Sequence, residues 1–325
     1  MSSADALPEG ATPPQPEHAE PRLRDPSLGD LSFRDWRAIL VRGGRGALAD
    51  NVTDIAASLS YYAFLAIPAV LLVAVGVFAQ TAGPGTVESM LDRLEGVVPA
   101  EALTLIDDSL TRVIENQSSA IALIAVGFVL ALWTASSAMN ALMRGLNRVY
   151  GRDESRGFVR QRLTALGMLA CLLVAFGLAF GLLVLGPHLS GWIGEALGIE
   201  NFFGWLWWTL EWPILLLGLL GVFAAVLYLG PNVAHPRWRF LTPGAIAAVV
   251  IWLLASGAFA FYASSFGSYN KAWGSLAAVI IMLTWLWLSA LALLLGAEIN
   301  AEAERSRELR RGEPAEVELQ APSKA

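Results

Sequence analysis

Six long apolar stretches punctuate the chain, at about Ala56–Phe78, Ala120–Ala138, Leu163–Leu185, Trp205–Leu229, Ala245–Phe266 and Ser275–Ala297. Each approaches or exceeds the ~20 residues that an α-helix needs to cross a hydrocarbon layer ~30 Å thick. A helix of a water-soluble core is apolar along one stripe, not on every face for that length. In lipid only helices and closed barrels satisfy their backbone groups, and barrel strands alternate in polarity where these runs are continuous. The sequence therefore predicts an all-α integral membrane protein: a bundle of six transmembrane helices with amphipathic interfacial helices around it.

Charge orients the bundle. Nineteen of the 22 basic residues lie before the first stretch, between the second and third, after the fourth, or after the sixth, leaving Arg93, Arg112 and Lys271 for the other side. Basic residues near span ends are retained in the cytoplasm, which places both termini there. Three regions follow: residues 1–30 as a Pro-rich disordered tail, 31–305 as the membrane domain, and 306–325 as a charged tail.

Several chemistries are excluded by composition. The lone cysteine, Cys171, falls mid-span and offers no disulfide framework. The three histidines, His18, His188 and His235, show no ligand spacing, so no metal site is expected. Neither lysine closes a Gly-rich phosphate loop, so the chain is not its own nucleotide-driven motor, and no cofactor is implied. No nucleophile with a base is seen at membrane depth, so the chain is read as a non-enzyme.

The remaining features place polar groups near the cytoplasmic ends of three spans. Leu31–Ala49 reads as an amphipathic helix in the interface, with Phe33, Trp36, Ile39 and Leu40 on one face. Span one carries the stripe Asp54, Ser58, Tyr61 and Tyr62, with Pro68 above it as a candidate hinge. Span two continues through Asn140, Arg144 and Asn147 to a break at Gly151. Span six ends in Glu298 and Asn300. Intramembrane charges face cavities or one another, and an arginine among amides and carboxylates suits an anionic headgroup. These nine residues are the candidate substrate site. The run Arg152–Arg162 reads as a basic patch at the inner leaflet that sets topology or binds anionic lipid, span three ends near Pro187, and Leu103–Glu115 forms an outer amphipathic helix.

The ordered motifs ASLSYYAFLAIP (57–68), NALMRGLNRVYG (140–151), LYLGPN (227–232), TPGA (242–245), SYNKAWGS (268–275) and LLGAEINA (294–301) resemble the YihY/BrkB family of bacterial inner-membrane proteins. The resemblance implies six helices in the inner membrane and a link to envelope lipid traffic. It also brings an older ribonuclease label that these residues do not support. The expectation is a transporter or flippase for an amphipathic anionic, lipid-like substrate. Its partners would be membrane lipids and their anionic headgroups, with no nucleic acid. The alternative is a scaffold or regulatory partner for other envelope proteins.

Overall fold

The structure, a computed structural model, describes residues 28–81, 117–197, 200–233, 242–265, 275–312 and 315. The outer helix expected at Leu103–Glu115 and the motif core Ser268–Gly274 lie outside the described residues, as does most of the N-terminal tail. Seven α-helices account for almost all of the rest: α1 (Phe33–Ala49), α2 (Val52–Thr81), α3 (Gln117–Val149), α4 (Phe158–Leu197), α5 (Glu200–Leu229), α6 (Pro243–Ser265) and α7 (Ser275–Arg311). No strand occurs among the described residues.

The helix ends follow local chemistry. A reciprocal cap opens α1: the Asp35 amide donates to Ser32 Oγ at 3.3 Å, and the Ser32 amide donates to Asp35 Oδ2 at 2.8 Å. Two residues join α1 to α2, and the turn is made at Asn51, φ +53°, a left-handed conformation that asparagine tolerates. Gly151 (φ +59°) stops α3 and Gly312 (φ +82°) stops α7, where a β-carbon would be strained. Proline stands at the first position of α6, where its missing N–H would have no helical partner anyway.

Five helices contain segments long and apolar enough to cross a membrane: Ala125–Val149, Phe158–Ala179, Gly204–Leu229, Pro243–Tyr262 and Val279–Arg311. The sixth expected crossing is α2, with the apolar segment Val52–Pro68 inside a helix of 30 residues. At ~1.5 Å per residue that helix is about 45 Å long, sufficient for a crossing. The helices pack as a ring in chain order, α2 to α3, α3 to α4 and onward to α7, which closes the ring on α2. Small residues let them approach: Ala56, Ala141, Ala165, Ala224, Ala248 and Ala297 are all buried in one core with Leu146, Met143 and Leu294. Among the described residues this core gathers where α3 and α5 finish and α6 begins. This is the end of the bundle that also carries α1 and the charged part of α7.

Two boundaries and one helix face differ from the sequence reading. Helix α4 does not stop near Pro187 but runs to Leu197, because in lipid the helix is the conformation that satisfies the backbone and proline is tolerated within it. Helix α7 continues eleven residues past Asn300, to Arg311, because its charged end packs on α1 and not as a free tail. The four apolar residues of α1 do not share a face. Ile39 is fully buried with Asp35 and Gly43 against α7, whereas Phe33 and Leu40 face outward with Arg34 and Arg37.

Candidate functional site

The register of α2 against α3 decides what the polar stripes face. These two helices share the most extensive packing in the bundle and run antiparallel. Arg148 Nε lies 3.6 Å from Asp50 Oδ1, and a β-carbon built on Gly145 would come within 2.8 Å of Ile55 Cγ2. Antiparallel neighbours keep a nearly constant index sum, so stepping up from Asp50 and Arg148 brings Asp54 to the level of Arg144 along the helix pair. The same count puts Ser58 level with Asn140, Tyr61 with Ser137 and Leu65 with Trp133. The two stripes thus run at matching levels along the α2–α3 seam.

The seam is open on one side. Asp54, Ser58, Tyr61, Tyr62 and Arg144 are exposed, and Tyr61 and Tyr62 meet edge to face with ring centres 6.0 Å apart. Arg144 sits inside the membrane-crossing segment Ala125–Val149 yet makes no ion pair with a described residue, in contrast to Arg148. Neither Asp54 nor Glu298 forms an ion pair with Arg144. Above it, Asn140 Oδ1 is buried without a hydrogen-bond partner. At the top of the seam, Arg162 from α4 lies 4.8 Å from the centre of the Trp133 ring. Ser58 Oγ donates to the Asp54 carbonyl, and Ser137 Oγ to that of Trp133, so these hydroxyls are folded back on their own helices. Pro68 lies within α2, which continues through it.

The other three sequence candidates belong elsewhere. Asn147 is buried, donating through Nδ2 to Glu154 Oε2 at 2.9 Å and accepting the Asn232 amide on Oδ1 at 2.6 Å. Asn232 in turn donates to the Asp153 carbonyl and to Ser155 Oγ. Arg156 closes this knot: its Nε and Nη2 each reach a Glu154 oxygen at 2.7 Å, and Nη2 also donates to the Gly230 carbonyl at 2.9 Å. The basic loop expected over Arg152–Arg162 is thus in part an internal clamp, with the Arg156 side chain only 1% exposed. Burial pushes the Glu154 carboxyl up, but the hydrogen bonds from Arg156 and Asn147 outweigh it and hold the group below its ordinary value.

Asn300 is also a joint. Its Oδ1 accepts the Gly244 amide at 2.8 Å and its Nδ2 donates to Thr242 Oγ1 at 3.1 Å, tying α7 to the start of α6. Gly244 and Gly296 allow the two backbones to meet there, since a β-carbon on either would collide with the other's carbonyl. Glu298 is buried beneath α1, away from the seam's exposed face. Asp54, Ser58, Tyr61, Tyr62, Asn140 and Arg144 thus lie at neighbouring levels of the α2–α3 pair, whereas Asn147, Glu298 and Asn300 are engaged or buried elsewhere.

Sequence reasoning missed the contacts that hold α1 to α7. Arg42 Nε lies 2.6 Å from Glu302 Oε2, with Nη2 on Ser306 Oγ at 2.7 Å, and Arg310 Nη2 lies 2.6 Å from Asp35 Oδ2. The signal available was the period of Asp35, Ile39 and Arg42 on α1 against Glu302, Ser306 and Arg310 on α7. Both read as solvated helix ends when each is taken alone.

Apolar crossings in a closed ring, buried small residues between them and polar joints at one end define a polytopic helical membrane protein. The family described as Virulence factor BrkB matches residues 45–320. The chain belongs to that family. Among its relatives, the ribonuclease-like protein YfkH of Bacillus subtilis (strain 168) is 31% identical over 226 residues, 70% of this chain and 81% of that one. A UPF0761 membrane protein of Azoarcus sp. (strain BH72) is 29% identical over 295 residues, covering 87% and 66% respectively. One of Pseudoalteromonas translucida (strain TAC 125) is 27% identical over 270 residues, covering 78% and 81%. No solved structure matches the chain.

Proposed function

We propose that this protein moves an amphipathic anion, a lipid or lipid-linked molecule with an anionic headgroup, across a bacterial inner membrane, and that the α2–α3 seam receives the headgroup. The observation that supports it is Arg144: an exposed arginine inside a membrane-crossing segment, without an ion pair to a described residue, and one turn from an unpartnered buried amide oxygen. A guanidinium at that depth is costly unless something anionic or wet meets it, and its planar fork matches phosphate oxygens in pairs. Tyr61, Tyr62 and Trp133 supply rings with polar edges along the path an acyl-linked headgroup would follow. Energy would come from a gradient or a partner, since the chain holds no nucleotide loop.

The test is transbilayer movement of a labelled anionic phospholipid in liposomes containing the purified protein. Wild type should accelerate movement over protein-free vesicles, and Arg144→Gln should reduce it by about tenfold, the loss of one charge-assisted contact of ~1.4 kcal/mol or more. Movement no faster than in protein-free vesicles, with and without an ion gradient, would sink the reading. The scaffold alternative draws on the outward face of α1, where Phe33, Leu40, Val41 and Leu48 are exposed. A ribonuclease assay on the same preparation addresses the activity in the name of the Bacillus relative.

A further inference from the structure

Where α1 lies across α7, one carboxylate has no counterpart. Glu298 is 3% exposed, and its Oε1 is buried with no hydrogen-bond partner among the described residues. The surroundings are shaped to hold it closely. Gly43 faces the Glu298 backbone at ordinary contact distance, and a β-carbon on Gly46 would stand 2.7 Å from Oε2, so an alanine at position 46 would have to push the carboxylate aside.

The charged groups around it do not neutralise it. Asp50, from the α1–α2 link, and Glu302, one turn along α7, are its acidic neighbours, and Arg305 is the basic one. Arg305 Nη1 lies 2.9 Å from Glu302, which also takes Arg42, while Asp50 takes Arg148. Tyr150, buried at the end of α3, is the remaining titratable group that faces it. Arg305, Arg42 and Arg148 are thus each committed to another carboxylate. An isolated carboxylate in a desolvated site costs far more than a lost hydrogen bond, and such groups persist where something positive neutralises them.

We propose that Glu298 is the centre of a monovalent-cation site, accepting a proton on its free carboxyl oxygen or a sodium ion against it. A single carboxylate suits a charge of one. Among the described residues no group of three or more His, Cys, Asp or Glu is placed to hold a metal ion, which favours the proton as occupant. The site touches α1 and α7 and adjoins Asp50, the residue before the Asn51 turn that starts α2. Loading it changes the charge at the base of the helix carrying Tyr61 and Tyr62. That link to the seam rests on the transport reading, whereas the binding itself does not.

The thermal unfolding midpoint of the purified full-length protein tests the binding. Wild type and Glu298→Gln are compared in acidic and alkaline buffer, and in sodium against choline chloride at equal ionic strength. A bound cation stabilises the folded state, so the wild-type midpoint should rise on acidification, or on sodium addition, by on the order of 3 °C. Glu298→Gln should lose that increment. A response to acid alone assigns the proton, and a response to sodium at fixed pH assigns the metal ion. Equal responses of wild type and variant to both would overturn the proposal. Should Glu298→Gln fail to fold, Gly46→Ala replaces it, because its β-carbon displaces Oε2 and must shrink the response; an unchanged response overturns the site. Absence of lipid movement with a normal cation response would reject the transporter and leave this site standing.

Discussion

Arg156 and Arg144 are twelve residues apart and have opposite surroundings, which makes them a matched pair for mutation. Arg156 is buried, bidentate on Glu154, and donates to the end of α5. Its removal leaves Glu154 without its cation and a buried carbonyl unpaired. Arg156→Ala should therefore cost about 3 kcal/mol, in the range for breaking a buried pair. Arg144→Ala removes an exposed charge with no described partner and should cost less than about 1 kcal/mol. Denaturant unfolding in mixed micelles measures both, and equal costs would contradict the clamp. Glu154 adds a pH dependence of known sign. Its folded-state value is held below the ordinary 4.5, so its contribution is complete at neutral pH and is lost as the pH falls below 4.5 through the folded value. Glu154→Gln should be less stable than wild type at neutral pH, and the gap should close in acid. A constant gap across that range would show that the carboxylate charge contributes nothing.

At the scale of elements, glycine contacts separate essential close approaches from mere helix flexibility. Gly244 at the start of α6 meets Gly296 and Asn300 of α7, whereas Gly257 in the same helix has open space around a built β-carbon. Gly244→Ala should separate the helices and lower stability by about 1–3 kcal/mol, as overpacking does. Gly257→Ala should be neutral or stabilising by up to ~1 kcal/mol. Thermal unfolding of the two variants decides; a neutral Gly244→Ala would mean that the contact yields without strain. The same contrast shows what the sequence could disclose. The crossings were legible because twenty consecutive apolar residues have few other uses, and the stop at Gly151 because glycine takes a positive φ. The α2–α3 stripes were legible from their period, but not their register, which depends on packing at Gly145. The roles of Asn147 and Asn300 were not legible, because their partners Asn232 and Gly244 are 85 and 56 residues away. Nor was the α1–α7 pairing, since a charged amphipathic helix has the same pattern on a membrane surface as against a second charged helix.

The ring as a whole has a charged end, formed by α1, the α3–α4 turn and the last turns of α7, and an opposite end at the far termini of α4 and α6. Positive residues crowd the first, which argues for its retention in the cytoplasm. Helix α4 offers a direct test, because its 40 residues make about 60 Å of helix, about twice the thickness of the hydrocarbon layer. Gly157, just before it, is exposed with open space around a built β-carbon, and Glu195, near its end, is exposed too. Ser155 is a poorer reporter, since its hydroxyl accepts from Asn232. On a Cys171→Ala background, Glu195→Cys should react with a membrane-impermeant thiol reagent added to cells whose inner membrane is intact. Gly157→Cys should react only once that membrane is opened. The reverse pattern would invert the protein and put Arg144 and Glu298 near the outer face, where an inward-facing headgroup site and a cytoplasmic cation site would both be untenable. Labelling of both positions in intact cells would mean that α4 does not cross.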